Sequence, residues 1–231
     1  MLVDTDFQIG VIKPVECYKE AWELIKPHFW LLFAISVVGV MIGGATLYIL
    51  TGAMICGIMY CFLEVIDGRE PKFESLFKGF SFWKPGLFVF AVMFIPTMLV
   101  IGLIYLPVMA AAVMGQRVSQ EELVSFLAGV FLVDFIVMII MVCIHTLLLF
   151  AFPLIVDKQL GGWESIKLSV RGVWGNLNGV AGLWAVGFIV SLVGLLLFCV
   201  GVYLTIPIII GAHVVAYRKI FPGSLPAADS V

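Results

Sequence analysis

Charge is scarce in this chain of 231 residues: Asp, Glu, Lys and Arg together make up 12% of it, against 63% hydrophobic residues. A water-soluble domain carries roughly a quarter charged residues, so this balance excludes a freely soluble globular protein. Basic tracts are missing as well. With a net charge of −2 and no basic or acidic tail, nothing is offered to a polyanion, and nucleic acid is not an expected partner. The five cysteines, Cys17, Cys56, Cys61, Cys143 and Cys199, form no CxxC pair and have no histidine at zinc-ligand spacing. They read as small hydrophobes rather than metal ligands or redox centres. GxSxG, HExxH and GxxxxGK(S/T) are all absent, and the three histidines have no ligand-spaced neighbour; no metal, cofactor or catalytic residue is expected, and the chain does not read as an enzyme. Residues 1–28 carry Asp4, Asp6, Glu16, Glu20 and Glu23 without a short apolar core and cleavage site, so no secretory signal is expected to be removed.

What the chain has instead is length without charge. Phe29 to Leu63, Pro85 to Gln116, Leu123 to Val156 and Gly172 to Tyr217 are 35, 32, 34 and 46 residues long, and Asp134 is the one ionised carboxylate or basic group among them. About 20 apolar residues cross the hydrocarbon core as a helix, so the last run holds two helices and the first is long enough to do so. The 13 basic residues decide the first run. If both terminal runs are hairpins, 12 of them fall on one side of the membrane and only Arg117 on the other; splitting only one run gives 10 against 3 or 9 against 4. Short cytoplasmic loops collect Lys and Arg, so six spans with both termini in the cytoplasm are predicted. The expected helices are Phe29 to Ala45, Leu50 to Ile66, Leu87 to Met114, Leu123 to Ala151, Val180 to Cys199 and Tyr203 to Ile220. Residues 1–28 then form a cytoplasmic leader, 29–220 the spans of a single polytopic domain, and 221–231 a short cytoplasmic tail. The first hairpin is expected to turn around Gly43-Gly44. Pro96 and Pro107 are expected to bend the long third span, where neighbouring helices can satisfy the freed carbonyls.

Two further helices are predicted on the inner membrane surface. Val15, Tyr18, Trp22 and Ile25 recur at helical spacing opposite Glu16, Lys19, Glu20, Glu23 and Lys26, behind a helix-opening Pro14. Trp163, Ile166, Val170, Val173, Trp174 and Leu177 repeat the pattern against Glu164, Lys167 and Arg171. Each leader precedes an apolar hairpin whose second helix carries a Thr-x5-Gly fragment, Thr51 to Gly57 and Thr205 to Gly211. The fold class is therefore an all-α membrane protein of six transmembrane helices and two amphipathic interfacial helices, with a parallel internal repeat as one reading and coincidence as the other. Gly187, Ser191, Gly194 and Gly201, with Gly39 and Gly43 on the first span, supply small faces for close helix packing.

An ionisable group inside a membrane is costly, about 2.5–3.5 kcal/mol at the helix centre, and each one calls for a role. Asp134 and His145 are 11 positions apart, about 20° around the helix and about 16 Å along it, so they share a face without touching. His213 lies in the sixth span. One reading makes Asp134, His145 and His213 a proton or cation path. The preferred one has Asp134 meeting water or a donor near the outer end, with the histidines bonded to backbone carbonyls. Glu64 and Asp67 read as solvated charges at the end of the second span.

Pro153-Leu-Ile-Val-Asp157, Trp163-Glu-Ser-Ile-Lys-Leu-Ser169 and Val173-Trp-Gly-Asn-Leu177, with the Gly57 helix, Phe77-Lys-Gly-Phe80 and Ala216-Tyr-Arg218, resemble the bacterial six-span proteins grouped with the membrane domain of glycerophosphoryl diester phosphodiesterase. The resemblance covers most of the chain. It implies that Pro153 ends the fourth span, that Asp157 lies at the cytoplasmic membrane surface and that Ser169 sits on the second amphipathic helix. Asp157 would dock that helix by capping its N-terminus or by pairing with a lysine. Phosphodiesterase activity in that group belongs to a separate soluble barrel for which this chain has no residues. The expected function is thus a non-enzymatic, multi-pass protein of the bacterial cytoplasmic membrane with an accessory, assembly or membrane-organising role. Membrane lipids and a membrane-protein partner are the expected contacts. The alternative is a small-molecule, proton-coupled or lipid transporter using a polar site near Asp134.

Overall fold

The computed structural model describes residues 7–113, 120–196, 200–223 and 225. Among them every regular element is helical: α1 (Pro14–Ile25), α2 (Phe29–Ala45), α3 (Thr51–Ile66), α4 (Trp83–Val113), α5 (Gln120–Leu147), α6 (Ala151–Lys158), α7 (Gly162–Gly175), α8 (Leu177–Leu196) and α9 (Val200–Ile220), with 3-10 segments at Lys26–His28 and Phe73–Phe82. Two compact units result, one of residues 1–89 and 147–231 and the other of residues 90–146.

In the first unit α3 is the central element. Its face is apolar nearly all round, and Met54, Cys56, Tyr60, Cys61, Phe62 and Leu63 are almost wholly covered by α2, α6, α9, α1 and the 3-10 segment Phe73–Phe82. Glycines set how closely these approach. A Cβ at Gly57 would overlap the Leu76 carbonyl, and one at Gly79 would overlap the Ala53 carbonyl and the Gly57 backbone. Backbone-to-backbone contact of this kind is how helices gain dispersion energy where no water is squeezed out. The turn from α2 to α3 lies at residues 46–50, past the expected Gly43-Gly44. Leu47 and Tyr48 take left-handed φ values of 50° and 67°, and Thr46 Oγ1 accepts from Leu50 N at 3.3 Å. Gly43 serves instead as a seat for Thr51.

The leader helix α1 starts on Pro14 at its first turn, where the missing N–H costs nothing. Its buried face is Cys17, Tyr18, Ala21 and Ile25, rotated from the expected stripe, so Val15 and Trp22 point outward. The reason is that α1 lies against α8 and α9, whose Gly182, Gly187 and Gly211 admit Pro14, Tyr18 and Ala21. The small face of α8 is therefore used for docking the leader. Gly194 packs on Gly201 and Thr205 of α9.

The fourth apolar run is not one unbroken helix up to Pro153. Helix α5 stops at Leu147, residues 148–150 turn, and Pro153 sits in the first turn of α6, where its lack of an N–H is harmless. Ser169 of α7 fixes the break: its Oγ donates to Leu147 O at 2.7 Å and accepts from Phe150 N at 3.1 Å. Asn176 closes α7 in the same manner, accepting from Gly10 N at 2.7 Å and donating to Gln8 O at 2.9 Å.

The second unit, residues 90–146, comprises the later part of α4 and most of α5. Phe131, Leu132, Phe135, Ile136, Ile139 and Ile140 of α5 and Ile95, Leu99 and Leu103 of α4 all point outward, as expected of helices that face lipid. Helix α4 runs unbroken through Pro96 and Pro107 for 31 residues, about 46 Å. Met114, Arg117 and Cys199 lie outside the described residues.

Candidate functional site

A polar cluster joins the C-terminal ends of α3, α6 and α9. Each such end carries the negative pole of its helix, and two of them add an aspartate, Asp67 at the C-cap of α3 and Asp157 in the last turn of α6. A cation is required there, and Arg218 in the last turn of α9 supplies it. Its Nε and Nη2 donate to Asp67 Oδ1 and Oδ2 at 2.8 and 2.7 Å, a fork-on-fork pair of the geometry that suits guanidinium. Its Nη1 lies 2.8 Å from Asp157 Oδ2, off the hydrogen-bonding direction. The Tyr217 hydroxyl donates to the same oxygen at 2.7 Å, and Lys158 Nζ stands 3.4 Å away. The Asp157 side chain is fully buried, with Oδ1 unpartnered.

The cluster also ties in the chain ends of the unit. Leu225 N donates to Asp67 Oδ2 at 2.8 Å and its carbonyl accepts from Arg69 Nη2 at 2.5 Å, while Lys158 Nζ reaches Pro222 O at 3.2 Å. One residue along, Lys219 pairs with Glu20 of α1 at 2.8 Å.

Of the residues singled out in the sequence, Asp157 pairs with its neighbour Lys158 in α6 and, more closely, with Arg218 of α9. It does not cap α7, whose N-cap is Gly161. Ser169 docks α7, by gripping the α5–α6 turn. Glu64 and Asp67 are not solvated: Glu64 is 8% exposed and the Asp67 side chain 6%. Asp67, Tyr217, Arg218 and Asn176 were not foreseen as site residues. The available signal was an acid at the end of one apolar helix and an arginine at the end of another, both assigned to one membrane face.

Asp134 and His145 belong to the second unit and His213 to the first. Asp134 Oδ2 accepts from Tyr105 OH at 3.0 Å. His145 Nδ1 lies 2.7 Å from Met141 O one turn back. His213 leans on Trp184, with ring centroids 5.8 Å apart, and its Nε2 is buried without a partner, so it bonds no carbonyl there. Asp134 and His145 are each engaged elsewhere and do not form a joint site. Among the described residues no three His, Cys, Asp or Glu side chains lie close enough to hold a metal ion.

The protein is all-helical among the described residues, and its long apolar helices are those of a multi-pass membrane protein. Among the described residues, Pro14–Ala45, Phe73–Leu103, Ala128–Lys158, Leu177–Leu196 and Gly201–Ile220 are long and apolar enough to cross a bilayer, five stretches in all. No family profile matches the chain, and neither curated proteins nor solved structures returned a match.

Proposed function

We propose that the chain is a six-span protein of the bacterial cytoplasmic membrane, with residues 7 and 225 on the cytoplasmic side and a non-catalytic accessory role. It assembles or organises a membrane system through helix packing and two interfacial helices. The observation that carries this reading is the polar cluster. Contacts Glu20 to Lys219, Asp67 to Arg218 and Arg218 to Asp157 join four distant points of the chain. Ions at pairing distance share one side of a bilayer, so each intervening stretch crosses it an even number of times. If α2 crosses, α3 crosses too, although its 16 residues reach only about 24 Å. A short span is tolerated by local thinning of the bilayer, and α3 is shielded by its neighbours. The same parity pairs α4 with α5 and α8 with α9, which supports six crossings where length alone counts five. The uneven spread of Lys and Arg supports the cytoplasm as the shared side.

A structural role is supported by the way Asp67, Asp157, Tyr217 and Arg218 pair with one another inside the protein, while Trp30, Trp163 and Trp174 stay outward, as interfacial indoles do. The recurrence of leader helix and apolar hairpin supports the duplication reading. The likeness to the phosphodiesterase membrane-domain group agrees with it, since Gly57 and Gly79 of its motifs are both backbone-contact glycines. Single cysteines in place of Glu70 and Gln159 should label from the cytoplasmic side only, and one in place of Leu47 from the outside only. Opposite sides for residues 70 and 159 would overturn the topology, and a residue 47 protected from both sides would make α2–α3 a re-entrant hairpin. For the role, affinity capture in mild detergent should enrich a defined membrane protein or lipid; repeated capture of neither would count against it.

Transport is the second reading, favoured by the Asp134–Tyr105 pair within an otherwise apolar hairpin. Equal pH-driven flux by wild type and Asp134→Asn in proteoliposomes would remove it.

A further inference from the structure

A second polar feature lies outside the cluster, between the start of α4 and the N-terminus of α7. It is an open cleft of about 800 Å³ whose walls carry Lys84 and Phe88 on one side and Trp163, Glu164 and Lys167 on the other. The two walls meet where Gly162 abuts Pro85 and Phe88, with no room for a Cβ. Gly161, the N-cap of α7, offers no side chain to its first turn, and Gly161 to Glu164 at the start of this 14-residue helix line the cleft. Among the described residues neither Lys84 nor Lys167 has a carboxylate within ion-pairing distance; Lys84 stands 5.8 Å over the Trp83 ring. Glu164 contributes the one negative charge, which leaves the cleft net positive.

Elsewhere in the unit Lys13, Lys26, Lys78, Lys158, Lys219 and Arg218 have acidic partners, and Lys84 and Lys167 are the two basic residues that line this cleft. Two ammonium groups without ion pairs, an indole and an apolar wall make a receptor for a ligand that is both anionic and apolar. We infer that the cleft binds an anionic phospholipid of the cytoplasmic leaflet, its phosphate between Lys84, Lys167 and the start of α7, and an acyl chain along Phe88 and Trp163. The inference rests on the six-span reading, which puts these lysines at the inner headgroup layer. Charge complementarity favours a lipid over a zwitterionic or neutral occupant, because each basic residue at that surface strengthens anionic lipid binding by about 1 kcal/mol, or about fivefold.

The test is native mass spectrometry of the full chain in mild detergent with phosphatidylglycerol or phosphatidylcholine. Wild type should retain phosphatidylglycerol preferentially, and Lys84→Gln/Lys167→Gln should lose about 25-fold in first-lipid affinity, about fivefold for each lysine. Lys84→Arg/Lys167→Arg should keep it, and Lys13→Gln/Lys19→Gln should not change it. Undiminished retention by the double Gln variant, or equal retention of both lipids by wild type, would overturn the proposal. So would displacement of the lipid by millimolar inorganic phosphate, which would reassign the cleft to a free anion. Labelling at residues 70 and 159 separates this from failure of the topology, since it reports sidedness whatever the lipid result.

Discussion

Arg218 answers two aspartates at once, which makes the cost of removing it predictable. Arg218→Leu leaves Asp67 buried without its cation and Asp157 with only Lys158 at 3.4 Å, and it should destabilise the protein by about 3–5 kcal/mol, read as a fall in thermal midpoint by tryptophan fluorescence in detergent. Asp67→Leu combined with Arg218→Leu should recover part of that loss, because the orphaned charge rather than the lost pair dominates the penalty. Ser169→Ala should cost about 1–3 kcal/mol by leaving the Phe150 N–H without its acceptor. That change should act on the α5–α6 turn, measured as faster amide exchange at Phe150. None of these roles can be read from local sequence. Asp67 looks like any helix-end carboxylate until its partner, 151 positions away, is known.

At the scale of the element, what hydropathy could read it read closely: α2 has the expected boundaries, α3 begins one residue later, and α8 and α9 each begin three residues earlier. The break between α5 and α6 escaped because Leu147 to Ala151 is uniformly apolar, and a tertiary hydrogen bond from α7 makes the turn. The rotated face of α1 escaped for a related reason, since Cys17 and Ala21 gain their places from glycines on other helices. Tyr18 and Gly187 allow this docking to be tested. A Cβ at Gly187 would lie 2.6 Å from the Tyr18 hydroxyl, so Gly187→Ala should loosen α1, and Tyr18→Phe should partly restore it although the bond to Leu183 O is lost. Cys17 reports the event. It is fully covered and burial pushes its thiol above the usual range, so maleimide should react slowly in wild type, faster in Gly187→Ala, and at an intermediate rate in the double variant.

For the whole molecule, the sequence yielded the class and the candidate topology through two bulk properties, length of uncharged run and placement of basic residues. It could not yield the site, which depends on which helix ends converge. Gly57→Ala and Gly79→Ala provide a global check on that convergence. Each inserts a methyl against backbone rather than a movable side chain, so each should lower the thermal midpoint by more than Gly44→Ala, whose Cβ meets open space.

The long reach of the Arg218 contacts also orders events during biogenesis. Asp67 and Asp157 emerge from the ribosome 151 and 61 residues before the arginine that pairs with both, so the ends of α3 and α6 repel each other until α9 has been inserted. The bundle therefore latches late, and a chain stalled before residue 218 would present Asp67 without its cation as a legible mark of incompleteness.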